Sequence, residues 1–97
     1  MKDPIVFNFD KIHSLQSFYS ACKPNLQLPD HFGNNLDALW DCIIGQIELP
    51  VDINFTNLTA WHLKKFEKQI ELMLDAEKEL DGDLSFECFT KDESDAG

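Results

Sequence analysis

Arginine is absent from this 97-residue chain, and its eight lysines face eighteen aspartates and glutamates, for a formal charge of −10. Nucleic-acid affinity rests on Lys and Arg displacing counterions from phosphates, so direct nucleic-acid binding is disfavoured. The charge points to a partner with a basic surface, or serves solubility alone. Disulfide and metal frameworks are missing too. Cys22, Cys42 and Cys88 are odd in number and contain no CxxC pair, which fits a reducing compartment and a cytoplasmic location. His13, His31 and His62 lie near no paired cysteines, so no structural zinc site is legible. No apolar run is long enough to span a membrane, and the N-terminal MKDPIVFNFD is not a signal peptide. Nor is there a GxGxxG, a P-loop, an HExxH or a nucleophile elbow. The sequence reads as no enzyme, with no cofactor and no metal.

What is present suffices for one small domain. Hydrophobic residues make up 43% of the chain, with eight Phe and two Trp, enough for a packed core at this length. Ile5 to Phe9 reads as a buried strand. Leu15, Phe18, Tyr19 and Cys22 share a helix face, with Ser14 as N-cap and Pro24 closing the helix. Residues 24–33 form an ordered loop. Leu36, Leu39, Trp40 and Ile43 mark a second helix, capped by Asn34 or Asn35 and ended by Gly45 or Pro50. Val51 to Phe55 is a second strand. Thr56, Asn57 and Thr59 offer caps for a long helical stretch to about Leu80, with a short first helix near Leu58 to Trp61 left open. Its apolar face is Leu63, Phe66, Ile70, Met73, Leu74 and Leu80, and Trp40 and Trp61 read most simply as core. After a turn at Asp81-Gly82-Asp83, Leu84 to Phe89 is a third strand. Strands separated by helical crossovers predict an α/β fold: a three-stranded, mainly parallel sheet with helices covering much of it. The domain is expected over 1–90, with 91–97 a polar acidic tail that frays.

The negative charge is uneven. Residues 1–23 carry three Lys and two Asp, residues 24–63 carry Asp30, Asp37, Asp41, Glu48 and Asp52 with no Lys, and residues 64–90 carry four Lys against eight acids. In the long helix, opposite charges interleave and read as a solvated face. In the second helix Asp37 and Asp41 are like charges at i,i+4, costing about 0.2–0.5 kcal/mol. With Asn34 as N-cap, Asp37 sits at the third helical position and meets the helix dipole. Asp41, a turn further in, has no such reason to be there. It reads either as ordinary surface or as part of an acidic recognition face. His31 reads as a contact residue, a plain loop residue or, more remotely, a metal ligand, and Cys42 as a small buried hydrophobe.

The segment PDHFGNNLDALWDCIIG, residues 29–45, resembles the signature of the barstar family, small intracellular inhibitors of ribonucleases. Asn35, Leu36, Asp37, Ala38, Leu39, Trp40, Asp41 and Cys42 match it without a gap, and a looser likeness runs from about residue 5 to 89. The resemblance implies the same three-stranded α/β fold and a mechanism by blockade. The second helix and its preceding loop would plug the active site of a basic ribonuclease. Asp41 would lie where the RNA phosphate binds, with Asp37 as a second anionic contact. Asn35, Gly33, Ile44, Gly45 and Gln46 would line the surface. His31 stands where the family often has a stacking aromatic, and Gln46 where the prototype has tryptophan, so the target need not be the prototype's. A further acidic contact would come from Asp75, Glu77 or Glu79. The implied partner is a ribonuclease, or a ribonuclease toxin domain met by this chain as its immunity protein, and the free chain would be a monomer. Two other readings share the charge argument. One is an acidic adaptor or nucleic-acid mimic that binds a basic non-nuclease protein. The other is a small acid–base enzyme, which requires a cleft beside Asp37 and Asp41.

Overall fold

A computed structural model describes residues 3–91. The elements follow the order β1 (Ile5–Asn8), α1 (Leu15–Leu26), α2 (Leu36–Gly45), β2 (Val51–Leu58), α3 (Ala60–Lys65), α4 (Glu67–Glu79) and β3 (Leu84–Thr90). A short 3-10 turn, Phe9–Lys11, follows β1. The sheet has the order β1-β2-β3, and both neighbouring pairs are parallel. Ile5 pairs with Ile53 and Phe7 with Phe55; across the other ladder Ile53 pairs with Phe86. The α/β expectation with a parallel three-stranded sheet therefore holds.

Strand order advances in one direction, so two crossovers of the same hand place their helices on one face of the sheet. α2 accordingly packs on α4. Inward-facing Phe7, Val51, Ile53, Phe55, Leu84 and Phe86 are buried, while Val6, Asp52, Ser85 and Glu87 are exposed on the opposite face. Period-two alternation of this kind is the mark of a half-covered sheet, so the helices cover one face only.

The core is built on phenylalanine. Phe7, Phe9, Phe18, Phe55, Phe66 and Phe86 are buried and form a chain of tilted and edge-on ring contacts with centroids 4.8–6.1 Å apart, spacings that suit the ring quadrupoles. Phe89 lies outside it, on the exposed side of β3.

Several boundaries differ from those expected. α1 runs past Pro24 to Leu26 and ends in a left-handed Gln27 whose N–H bonds the Lys23 carbonyl. The buried pair Cys22 and Leu26, one turn apart, gains more than the amide hydrogen bond that proline forfeits. β2 continues through Thr56 and Asn57 to Leu58, leaving Thr59 as the cap. The long helix is broken at Phe66, whose backbone (φ −106°, ψ 23°) ends α3 and precedes α4. That break rotates the two halves relative to each other, so Leu63, Leu74 and Trp61 are exposed rather than core, Trp61 by 51%. Phe66 and Met73 face inward as expected and Ile70 and Leu80 pack partly against the core, while Gln69, Leu72 and Ala76 join the buried face.

α3 is held by His62, which is buried. Its Nδ1 receives the Thr59 N–H at 3.0 Å, and its Nε2 lies 3.1 Å from the Ile12 carbonyl oxygen. At the far end, Lys91 donates its backbone N–H to the Leu58 carbonyl and pairs its ammonium with Asp10 at 3.0 Å. The remainder of the expected tail, 92–97, lies outside the described residues.

Candidate functional site

Two consecutive asparagines set the start of α2. Asn34 takes the left-handed conformation, φ 36°, which asparagine tolerates better than most residues. Asn35 returns to extended backbone and is the N-cap, its Oδ1 accepting the Ala38 N–H at 2.8 Å. The same side chain donates through Nδ2 to the Gly33 carbonyl. Because Asn35 and not Asn34 is the cap, Asp37 is the second helical residue rather than the third. It remains in the first turn, where a carboxylate meets the helix dipole. A Cβ at Gly33 would come within 3.3 Å of Asn35 Nδ2, so glycine there leaves the capping amide in place.

The loop before α2 is fastened at several points. Leu28 N–H bonds the Lys23 carbonyl at 2.9 Å and Phe32 N–H bonds the Pro29 carbonyl at 3.0 Å. Lys23 reaches across from α1 to the Asp30 carbonyl at 3.4 Å. Phe32 is buried, whereas its neighbours His31 and Gly33 are exposed. Sequence reasoning passed over Phe32, although an aromatic flanked by polar and small residues in a proline-bounded loop is a signal of an inward anchor.

Asp41, His31, Gly33 and Gln46 come together around a shallow depression of about 170 Å³, with Pro29 and Cys42 in its wall. Asp37 opens on the other flank of α2, into a groove of about 370 Å³ shared with Leu36, Trp40, Lys68, Leu72 and Asp75. Both aspartates are exposed, and among the described residues neither carboxylate holds a hydrogen bond or an ion pair. Asn35 stands at the N-terminal end of this face, and half-buried Ile44 and exposed Gly45 at its C-terminal end. Nothing lies within 4 Å of where a Gly45 Cβ would project. A larger hollow, about 490 Å³ beside Ile5, Leu26 and Ile47, is apart from these carboxylates, so cavity size does not mark the site.

Burial first, and then the Asp41 carboxylate beside it, push the Cys42 thiol above its ordinary value. It stays protonated at neutral pH and is a poor nucleophile, consistent with a packing role. Of the acids considered on α4, Asp75 faces the Asp37 groove. Glu77 is engaged elsewhere, accepting the Phe86 N–H at 3.1 Å.

The match to known proteins agrees with this arrangement. The family model described as Barstar (barnase inhibitor) covers residues 3–91. A Bacillus subtilis (strain 168) protein named "Putative ribonuclease inhibitor YrdF" is 29% identical over 79 residues, spanning 78% of this chain and 87% of that relative. With a match running from before β1 to the end of β3 and the parallel three-stranded fold beneath it, the chain belongs to the barstar family.

Proposed function

We propose that the chain inhibits a basic ribonuclease by inserting α2 and the preceding loop into its active site, with Asp41 occupying the place of an RNA phosphate. The observation that carries this is the Asp41 carboxylate itself: exposed, without an intramolecular partner among the described residues, and at the rim of an ordered loop in a segment devoid of lysine. A helix that already carries a like charge at Asp37 gains nothing in stability from a second one at 41. An arginine- and histidine-lined catalytic site gives that charge its counterpart. His31, Gly33 and Gln46 surround Asp41 in the depression. Asn35, Ile44 and Gly45 are assigned to the two ends of the same contact face, and Asp75 lies across the groove beside Asp37.

Occupation of the catalytic site predicts a kinetic form of inhibition. With barnase as the probe enzyme and a fluorogenic RNA as substrate, inhibition should be competitive with the RNA. Steady-state rates at several RNA concentrations distinguish the outcomes. Inhibition that RNA cannot relieve contradicts the reading.

A further inference from the structure

Beneath the recognition loop lies a buried polar pair among apolar side chains. Gln69 of α4 and Tyr19 of α1 are only 4% and 5% exposed, and Gln69 Nε2 donates to the Tyr19 hydroxyl at 3.1 Å. Gln69 Oε1 is buried and finds no partner among the described residues. Phenylalanine and leucine would fill the same space without burying polar atoms, so the pair is a poor investment in stability alone. Its geometry supplies what apolar packing lacks, a directional constraint on the tyrosine ring.

That ring is what the loop leans on. Tyr19 and Phe32 meet at 6.1 Å between centroids with their planes at 56°. Phe32 is the inward-facing residue between exposed His31 and Gly33. A rotation of the Tyr19 ring would therefore move Phe32 and, through the adjoining peptides, both neighbours at the rim of the Asp41 depression.

From this contact chain we infer that Tyr19 and Gln69 are positioning residues for the recognition loop, fixing His31 and Gly33 through Phe32 without touching the partner. The inference rests on the inhibitor reading above. Pre-ordering a loop lowers the entropy lost on binding, so losing the constraint should act mainly on the complex's lifetime.

The test uses the full chain as Tyr19→Phe, the double variant Tyr19→Phe/Gln69→Leu, and Asp41→Ala as reference. Melting temperature, inhibition of barnase, and native-state exchange of the Phe32 amide are measured on each. The double variant should melt within a few degrees of wild type, and Tyr19→Phe, which leaves the Gln69 amide buried without its acceptor, should melt lower. They should inhibit roughly 5- to 50-fold less well through faster dissociation, and exchange the Phe32 amide faster while the α2 and α4 amides stay protected. Core variants that inhibit within twofold of wild type while Asp41→Ala fails overturn the positioning role. So does a loss of inhibition that follows a uniform loss of protection. If Asp41→Ala inhibits normally, the inhibitor reading falls. The Phe32 exchange rate, which needs no nuclease, still decides whether the pair holds the loop.

Discussion

Residue 45 shows how a single side chain separates folding from binding. Gly45 ends α2 with open space around its missing Cβ, so alanine there should raise stability by up to about 0.5–1 kcal/mol through helix propensity. If the same surface abuts a nuclease, the added methyl obstructs docking. Gly45→Ala is therefore expected to melt higher and inhibit less, checked by thermal unfolding beside an inhibition assay. At this scale the sequence singles out one charge for a proposed role. Asp41 stood out because like charges at i,i+4 with Asp37 have no stabilising reason inside the helix. The cap stayed open between Asn34 and Asn35 because adjacent asparagines have equal capping chemistry, and only backbone φ distinguishes the left-handed Asn34 from the capping Asn35. Trp61 was misread because its exposure depends on a break five residues later.

Within elements, β3 illustrates a feature no pattern announces. The Val51 N–H to Asp83 carbonyl and Lys91 N–H to Leu58 carbonyl bonds turn odd-numbered β3 peptides toward β2, so the Phe86 N–H faces the free edge. Glu77 caps it from α4, blunting an edge that would otherwise template pairing with another chain. Glu77→Ala should lower stability by about 1–2 kcal/mol and increase self-association at high concentration, with inhibition preserved. Asp75→Ala, facing the Asp37 groove, should do the reverse. Denaturant melts, light scattering and inhibition assays on the two variants check this exchange of effects. The same contrast explains what sequence could not resolve among Asp75, Glu77 and Glu79: the break at Phe66 sets which way α4 is turned. Likewise, Pro24 inside α1 and the extension of β2 were decided by tertiary burial of Leu26 and Leu58, which local signals do not contain.

At the scale of the whole molecule, the fold class followed from alternating strands and helices, while the open sheet face needed the strand order. Global stability carries an alkaline signature. Burial, with a smaller contribution from nearby Cys42, pushes the Cys22 thiol up to about 12, against about 8.5 in an unfolded chain. A raised folded pKa stabilises fully below the unfolded value and is lost as pH climbs toward the folded one. Urea midpoints should therefore fall between pH 8.5 and 11, and fall less steeply in Cys22→Ala, which is weaker at all pH values because of its cavity.

The distribution of charge matters more than its total. Much of the −10 sits on α4 and the C-terminal segment, but residues 24–63, which contain α2, carry five acids and no lysine. Lys68 of α4 shares the groove of Asp37 rather than the depression of Asp41. Charged plugs associate quickly and lose rate as salt screens them, behaviour for which the barnase–barstar pair is itself the reference case. The most direct test is the dissociation constant of Asp41→Ala for barnase beside wild type, taken with the melting temperature of each. The account predicts at least about thirtyfold weaker binding, about 2–5 kcal/mol for cations left buried and unpaired, and an unchanged or slightly higher melting temperature. An Asp41→Ala protein that binds as tightly as wild type would contradict it.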